Sequence, residues 1–388
     1  MKRILALDIL RGITLAGMLL VNNPGDWGHI YEPLEHAEWN GLTPTDLVFP
    51  FFMFIMGIST FISLRKYEFA CNRLTVTKII RRTVVIFLVG MGCAWFSSFF
   101  GYWFHPDETL SFGGQLWDAI WCFPHLRILG VLHRLALCYG AVGVLAITVQ
   151  HRRFPYIIAA ILVVYSIILL TMNGYVYDGE VNILGIVDQS VLTLPHMYVD
   201  HGIDPEGVLS TLPAIAHTMI GFCVGKYILC RKSSDDGQHL NQVMLQLFLV
   251  GVSLTFAGLL LQYGLPLNKK VWSPTFVITT CGLATSLLAL LIWVIDVKGY
   301  KRWTTYFHVF GVNPLFLYVV GWVLSVFMGY ISVPLGDGSV SLQGLLCDVL
   351  YRPLVGDNMA SLLYAITFNL MCWCIGYPLY KNKIYIKI

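Results

Sequence analysis

An imidazole, an indole, a carboxamide and a carboxylate fall in one short stretch, His36-Ala37-Glu38-Trp39-Asn40-Gly41-Leu42-Thr43-Pro44-Thr45-Asp46. It runs straight into the apolar segment Leu47 to Leu64. Polar side chains are costly at a membrane boundary unless they have a task. Histidine titrates near physiological pH when unperturbed, so a neutral imidazole here is suited to take a proton in a reaction. Asn22 and Asn23, at the end of the preceding apolar run, and Asn40 beside His36 place hydrogen-bonding amides at the depth of that ring. Asp46 has two readings. Thr43-Pro44-Thr45-Asp46 has the pattern of a helix start, with a capping hydroxyl, a first-turn proline and a carboxylate favoured by the helix dipole. Asp46 is therefore either a helix cap or a partner of the site. Trp39 and Asp46 are the candidate substrate contacts.

Four charged residues in or beside apolar runs form the second set of candidates. Asp8 and Arg11 stand three apart on one helical face, so they can neutralise each other or serve a ligand. Arg127 and Arg134 are seven apart, two turns of one helix, and would share a face about 10 Å long. Arg134 lies well inside its run, where an uncompensated guanidinium costs at least ~2.5 kcal/mol. It must meet a carboxylate, backbone carbonyls or an anionic ligand. His196, Asp200 and His201 lack a third imidazole or a thiol for a metal site, and no Ser-His-Asp spacing, glycine-rich phosphate loop or HExxH pattern is visible, so no metal is expected.

The elements that must position these residues are membrane helices. The chain is 57% hydrophobic and only 12% charged, with mean hydropathy +0.69, against about 25% charged residues in soluble domains. The expected fold is an all-α polytopic membrane protein, a single transmembrane domain over residues 1–388 with about ten spans. They fall near 4–22, 45–64, 79–98, 127–149, 155–172, 209–229, 241–263, 274–296, 304–329 and 359–380. Met1-Lys2-Arg3 and the run after it read as a retained first helix, because Asp8 and Arg11 interrupt it and no small-x-small cleavage site follows.

Most Lys and Arg lie at one set of helix ends: Lys2 and Arg3, the Arg65 to Arg82 group, Arg152 and Arg153, Lys226 to Lys232, Lys298 to Arg302, and Lys381 to Lys387. The opposite connections hold Lys269, Lys270 and Arg352. The positive-inside rule then places both termini in the cytoplasm and His36 on the far side of the membrane. Far-side connections are long (23–44, 99–126, 173–208, 330–358), and recognition is expected there. The aromatics Trp95, Phe99, Phe100, Tyr102, Trp103, Phe104, Trp117 and Trp121 suit an interfacial belt, or a platform for sugar rings. Asp204-Pro205-Glu206 and Ser273-Pro274 read as capped helix starts, and Asn313-Pro314 as a kink with the Asn side chain offered to a freed carbonyl. Cysteines in apolar runs, such as Cys93, Cys138, Cys281 and Cys372, read as small core residues. Lys269 and Lys270 read as plain loop charges or as contacts for an acidic saccharide. A net charge of +3, scattered along the chain, excludes a nucleic-acid partner.

Several runs carry a resemblance in chain order: Leu7-Asp8-Ile9-Leu10-Arg11-Gly12, Val21-Asn22, His36-Ala37-x-Trp39-Asn40-Gly41-Leu42-Thr43-x-x-Asp46-Leu47-Val48-Phe49-Pro50, Phe54-Ile55-Met56-Gly57, Gly130-Val131-Leu132-x-Arg134-Leu135, Asp204-Pro205-Glu206-Gly207 and Asp296-Val297-Lys298-Gly299. Together they resemble the heparan-alpha-glucosaminide N-acetyltransferase family of transmembrane acyltransferases and its bacterial relatives. The resemblance implies transfer of acetyl from cytoplasmic acetyl-CoA, a co-substrate, to the amino group of a glucosamine-type sugar on the far side. It also places the family's active-site His on His36 and its nearby essential Asn on Asn22. Animal members carry an extra luminal domain and one more span ahead of the region matching Asp8, and this chain starts directly there. The implied setting is a bacterial inner membrane, with His36 on the periplasmic side.

The layout suits such a reaction. CoA phosphates cannot cross hydrocarbon, so the head stays among the basic ends while the thioester arm reaches toward His36. Arg134, Arg127, Arg11 and Asp8 are the candidate donor contacts, and Asn22 or Asn40 the oxyanion donors. His36 serves as general base or as acetyl acceptor. The expected partners are acetyl-CoA, an amino-sugar or glycan acceptor, the bilayer, and a second copy of the chain as a homodimer. Two other functions compete: an amino-sugar transporter, and an acyltransferase acting on another cell-envelope glycan.

Overall fold

The structure is a computed structural model that describes residues 4–105, 111–198, 200–230, 236–336 and 338–386. Lys2, Arg3, Arg231, Lys232 and Lys387 of the basic ends lie outside the described residues. In chain order the main helices are α1 (Leu5–Val21), α2 (Val48–Arg65), α3 (Arg73–Phe104), α4 (Phe112–Ile120), α5 (Val131–Thr148), α6 (Phe154–Thr171) and α7 (Ile183–Leu192). They continue with α8 (Thr211–Cys230), α9 (Asp236–Leu261), α10 (Pro274–Leu291), α11 (Thr304–Val312), α12 (Pro314–Tyr330) and α13 (Asp357–Lys381). One hairpin, β1 (Ser332–Leu335) and β2 (Gly338–Ser341), follows α12, with Ser332 opposite Ser341.

Among the described residues, eight helices are long and apolar enough to cross a bilayer, or nine if the pair α11 and α12 counts as one span. The ten expected spans are reduced at two places. Helix α1 has 17 residues, about 25 Å at 1.5 Å per residue, at the lower limit for crossing a core about 30 Å thick. The expected span 304–329 is broken: α11 and α12 meet at 90° across Asn313–Pro314. Proline removes a backbone donor there, but Asn313 does not repair its own helix. Its Nδ2 donates to Ile384 O (2.8 Å) and its Oδ1 accepts from Ile386 N (2.9 Å), so the side chain clips the C-terminal segment to the break.

Close backbone approaches hold the centre together. A Cβ on Gly12 would lie 1.8 Å from Phe307 O, and one on Gly311 2.0 Å from Asp8 O, so α1 and α11 touch main chain to main chain. Gly57 and Gly221 do the same for α2 and α8, where a Cβ would meet Thr218 O at 2.0 Å and Phe54 O at 2.1 Å. Lipid offers apolar groups no advantage over a neighbouring helix, so such small-residue contacts supply association through close packing. The Asp296 carboxylate accepts from Leu5 N (3.3 Å) and Ala6 N (3.1 Å), capping α1 from the π-helical turn Ile292–Val297 that follows α10.

Three expectations change in the loops. Helix α3 runs on to Phe104, through residues expected in the 99–126 connection, because Phe96, Phe100 and Phe104, and Trp95, Phe99 and Trp103, stack down its faces at four-residue spacing. Helix α5 starts at Val131 after an extended Gly130, so Arg127 lies before it and does not share a helix with Arg134. Helix α8 starts at Thr211, and Asp204-Pro205-Glu206 does not cap it. The Ser273 cap is as expected, its Oγ accepting from Phe276 N (3.2 Å) ahead of Pro274. Cys93, Cys138, Cys281 and Cys372 are buried core residues, as read.

Candidate active site

The His36 loop is fixed by its own hydroxyls. Thr43 Oγ1 donates to Glu35 O (2.7 Å) and Thr45 Oγ1 to Pro33 O (3.3 Å), folding the segment back on itself. A turn over Thr45–Leu47 then leads into α2 and packs against α1. Asp46 is fully buried and fills both roles that the sequence offered as alternatives. Its Oδ2 accepts from Thr43 N (3.2 Å), which is the cap, and from Ala37 N (3.1 Å), and its Oδ1 lies 2.7 Å from His36 Nδ1. A carboxylate can only accept, so Nδ1 carries the proton of a neutral His36 and Nε2 presents a lone pair. The ring is 44% exposed, so that lone pair is within reach of a substrate.

Lys269 completes the cluster. Its Nζ stands 3.2 Å from Asp46 Oδ1, 3.0 Å from His36 Nδ1 and 3.4 Å from His36 Nε2. A point that close to both nitrogens in the ring plane would overlap Cε1, so the ammonium sits over the face of the imidazole. Burial pulls Lys269 below the ordinary lysine range, against the pull of Asp46, which favours its charge. From sequence Lys269 read as loop charge or saccharide contact. The one available signal was the scarcity of basic residues on that set of loops.

Trp39 and Asn40 anchor neighbouring loops. Gly41 N donates to Leu267 O (2.8 Å) and Asn268 Nδ2 to Asn40 Oδ1 (3.2 Å), docking the Lys269 loop on the His36 loop. Asn40 Nδ2 donates no hydrogen bond among the described residues. Trp39 Nε1 donates to Tyr175 O (2.8 Å), and its ring stacks on Tyr177 with centroids 4.4 Å apart at 19°. His201 packs on Tyr177 at 4.2 Å. Lys270 Nζ reaches Asp200 Oδ2 and Tyr177 Oη, each at 2.7 Å, and Tyr177 Oη donates to Asp200 Oδ1 (2.7 Å). The Tyr177 side of this cluster was missed in the sequence, because nothing in a lone Tyr in a long connection marks it.

Arg127 and Arg134 meet protein partners. Arg127 Nη2 pairs with Asp204 Oδ1 (2.7 Å) and Glu206 Oε2 (2.6 Å), and Asp204 also accepts from Tyr198 N (2.9 Å). Arg134 is fully buried; its Nη2 donates to Gly207 O (3.1 Å) and Ser210 Oγ, and its guanidinium lies 5.1 Å from the centroid of Trp272. Beside them Asp188 of α7 accepts from Val208 N (2.7 Å). Burial, with Asp204 nearby, pushes its carboxyl up to about 7.

Arg11 lies elsewhere, at the other end of the bundle. It pairs with Asp8 (3.5 Å), as expected, and its Nη2 donates to Ser59 Oγ (2.9 Å). It lines two cavities. The outer one, about 760 Å³, gathers Asp8, Arg65, Lys66 and Lys78. The inner one, about 340 Å³, shares Arg11 and Ser59 with it and continues past Arg82, Met56, Asn313, Ile386 and Tyr318 to Met18. A third, about 200 Å³, shares Met18 and Tyr318 with the second and ends at Asn22, Asn23 and Trp322. Asn22 thus terminates a chain of cavities that starts among basic residues. Among the described residues no hydrogen bond joins it to His36.

Comparison with known proteins fits this picture. The family model described as heparan-alpha-glucosaminide N-acetyltransferase, catalytic, matches residues 3–256. Heparan-alpha-glucosaminide N-acetyltransferase of Mus musculus is 26% identical over 438 residues, covering 100% of this chain and 61% of the mouse protein. The Homo sapiens protein of the same name is 29% identical over 370 residues, covering 82% of this chain and 52% of the human one. The chain therefore spans roughly half to three-fifths of the length of these relatives. With the match extending over well over half of its residues, the chain belongs to the heparan-alpha-glucosaminide N-acetyltransferase catalytic family.

Proposed function

We propose that this protein is a membrane acetyltransferase that takes acetyl-CoA at its basic, cytoplasmic end and passes the acetyl group to the amine of a glucosamine-type sugar at the His36 face. The observation that carries this reading is the succession of three cavities that share lining residues, from Arg65, Lys66 and Lys78, past Arg11, to Asn22. The phosphates of the donor need cations and cannot enter hydrocarbon. A mostly apolar passage such as the middle cavity suits the thioester arm.

In the proposed reaction the neutral amine attacks the thioester carbonyl carbon, and His36 Nε2 takes the proton that the nitrogen sheds. Asp46 and Lys269 hold the ring so that Nε2 faces the acceptor, and Asp46 stabilises the imidazolium that forms. Asn22 or Asn40 donates to the oxyanion; losing one such donor typically costs about 2.7–4 kcal/mol of barrier. Collapse breaks the C–S bond, and the departing CoA thiolate takes the proton from His36. The alternative in which Nε2 itself accepts the acetyl group uses the same lone pair. Direct transfer is the simpler course, and a labelled acetyl group trapped on His36 without acceptor, then released on adding glucosamine, would overturn it.

The test is purified protein in detergent with acetyl-CoA and a panel of amino sugars, read by mass spectrometry. His36→Ala should abolish product while leaving CoA binding within about twofold, because the ring lies outside the donor cavities. Counterflow of labelled sugar without acetyl-CoA, and no acetylated product, would favour transport instead.

A further inference from the structure

Helix α3 carries a charged groove beside the donor cavities. At 32 residues the helix is about 48 Å long at 1.5 Å per residue, well beyond a hydrocarbon core of about 30 Å. Its first turns, which hold Arg73, Lys78, Arg81 and Arg82, therefore reach through the headgroup layer. One face of the helix is turned to lipid. Leu74, Thr77, Arg81, Val84 and Leu88 follow one another at three- and four-residue steps, so they share that face, and all five are exposed. Arg81 thus stands in an otherwise uncharged lipid-facing stripe, with Leu74 and Thr77 on one side and Val84 and Leu88 on the other.

The groove itself is about 630 Å³, lined by Tyr67, Leu74 and Thr77 together with Arg73, Lys78, Arg81 and Arg82. It gathers four cations and no carboxylate. Among the described residues none of the four is in an ion pair. Lys78 Nζ lies 4.4 Å from the ring centroid of Tyr67 and the Arg82 guanidinium 4.7 Å from that of Tyr139, so two of the charges are held in place by aromatic faces without being neutralised. Arg73 and Arg81 are exposed. Arginines that the fold uses for itself are matched instead, Arg127 by Asp204 and Glu206 and Arg352 by Asp26. Four unmatched cations within three helical turns call for an anion from outside. Two phosphate-bearing molecules would meet this end of the protein, a lipid headgroup and the acyl donor. Lys78 also lines the outer donor cavity and Arg82 the inner one, but Arg73 and Arg81 line neither. The apolar stretch Val84 and Leu88 beyond them suits an acyl chain and offers nothing to a water-soluble nucleotide.

We propose that the groove on the first turns of α3 binds the phosphate of an anionic phospholipid, with Arg73 and Arg81 on the headgroup and an acyl chain laid along Val84 and Leu88. Basic pockets at the membrane boundary recognise such headgroups through charge, and the apolar stripe holds the ligand at the right depth. The site does not depend on the acetyl-transfer reading.

The experiment is native mass spectrometry of the full chain in detergent, titrated with phosphatidylglycerol or with phosphatidylcholine of the same acyl chains. Phosphatidylglycerol should bind the more tightly by at least about tenfold. The double variant Arg73→Gln, Arg81→Gln should weaken it roughly 25-fold, at about fivefold per cation, and leave phosphatidylcholine unchanged. Arg152→Gln with Arg153→Gln, exposed basic residues on another connection, should have no effect, which separates a site from general surface charge. Arg73→Lys with Arg81→Lys keeps both charges and should largely restore the lipid; if it loses the lipid as fully as the Gln pair does, charge is not what binds and the inference falls. Two further arms separate the sources of phosphate. Glycerophosphoglycerol, the headgroup without its chains, should bind at least about tenfold more weakly than the lipid. CoA should leave phosphatidylglycerol bound, and the Gln pair should bind CoA within about twofold of wild type. Equal loss in the Arg152 and Arg153 variant, equal binding of the chainless headgroup, or displacement of the lipid by CoA one for one would each overturn the inference, the last by giving the groove to the donor.

Discussion

Replacing Asp46 with Asn changes one atom and should silence the site. Oδ2 of Asp46 faces two backbone donors, Ala37 N and Thr43 N, while Oδ1 faces His36 Nδ1 and Lys269. An amide nitrogen placed at Oδ2 would set donor against donor at 3.1–3.2 Å on that whole side. Placed at Oδ1, it opposes only His36 and Lys269, and the imidazole can answer by moving its proton from Nδ1 to Nε2. The second arrangement loses less, and it puts an N–H where a lone pair is needed. General-base assistance is worth about 10²–10⁴-fold, or roughly 3–5 kcal/mol at 1.36 kcal/mol per decade. Asp46→Asn should therefore cut the rate of product formation by about that factor, with the affinity for CoA unchanged within about twofold. Thr43→Ala is the control. It removes the capping hydroxyl but leaves the carboxylate on His36, so it should lower stability by about 1 kcal/mol and change the rate only a fewfold. Initial rates with mass-spectrometric detection, CoA binding and thermal unfolding in detergent give the three readouts. If Asp46→Asn keeps more than a tenth of wild-type activity while folded, the Asp46–His36 contact does not set the state of the base.

Asp188 should make stability fall as pH rises. Its carboxyl is pushed up to about 7 by burial from an ordinary 3.8, so its contribution is fully present below about 4 and is lost on passing through about 7; Asp188→Asn should flatten thermal unfolding across that window, and an unchanged slope would refute the assignment. Gly57→Leu should prevent α2 and α8 from packing, because even a Cβ would lie 2.0 Å from Thr218 O; a variant that unfolds at the wild-type temperature would show that the helices do not meet there. Trp39→Ala should raise the KM for the amino sugar more than it lowers kcat, through loss of the ring stacked on Tyr177; an unchanged KM would remove the stack from acceptor binding.

Local chemistry made part of this legible in the sequence. The helical membrane class follows from composition, the Asp8–Arg11 pair from a three-residue spacing, and the Ser273 cap from a serine followed by proline. What the sequence hid is long-range. Lys269 lies 233 residues from His36, and no periodicity links a lysine in one short loop to a histidine in another. Asp46 invited a choice between cap and site because only coordinates reveal that a carboxylate with two oxygens can do both. Arg127 and Arg134 share a helical face only if the helix is continuous, and the extended Gly130 between them breaks it. Pro314 announced a bend, but the 90° angle and the capture of Ile384 and Ile386 by Asn313 depend on a partner segment far along the chain.

That capture has a consequence for assembly. The cavity of about 340 Å³ is walled by Arg11 and Met18 of α1 and by Ile386 of the C-terminal segment, and Asn369 Nδ2 is tied to Ala16 O across 353 residues. Loops of that size close late, because their ends must wait for everything between them to be made and inserted. A nascent chain with α1 already in the bilayer therefore has this cavity unfinished. The cavity is completed when Ile384 and Ile386 seat against Asn313. A bulky group attached close to Ile386 would sit beside that wall, so a tag set off by a spacer is the safer choice for measuring binding in this cavity.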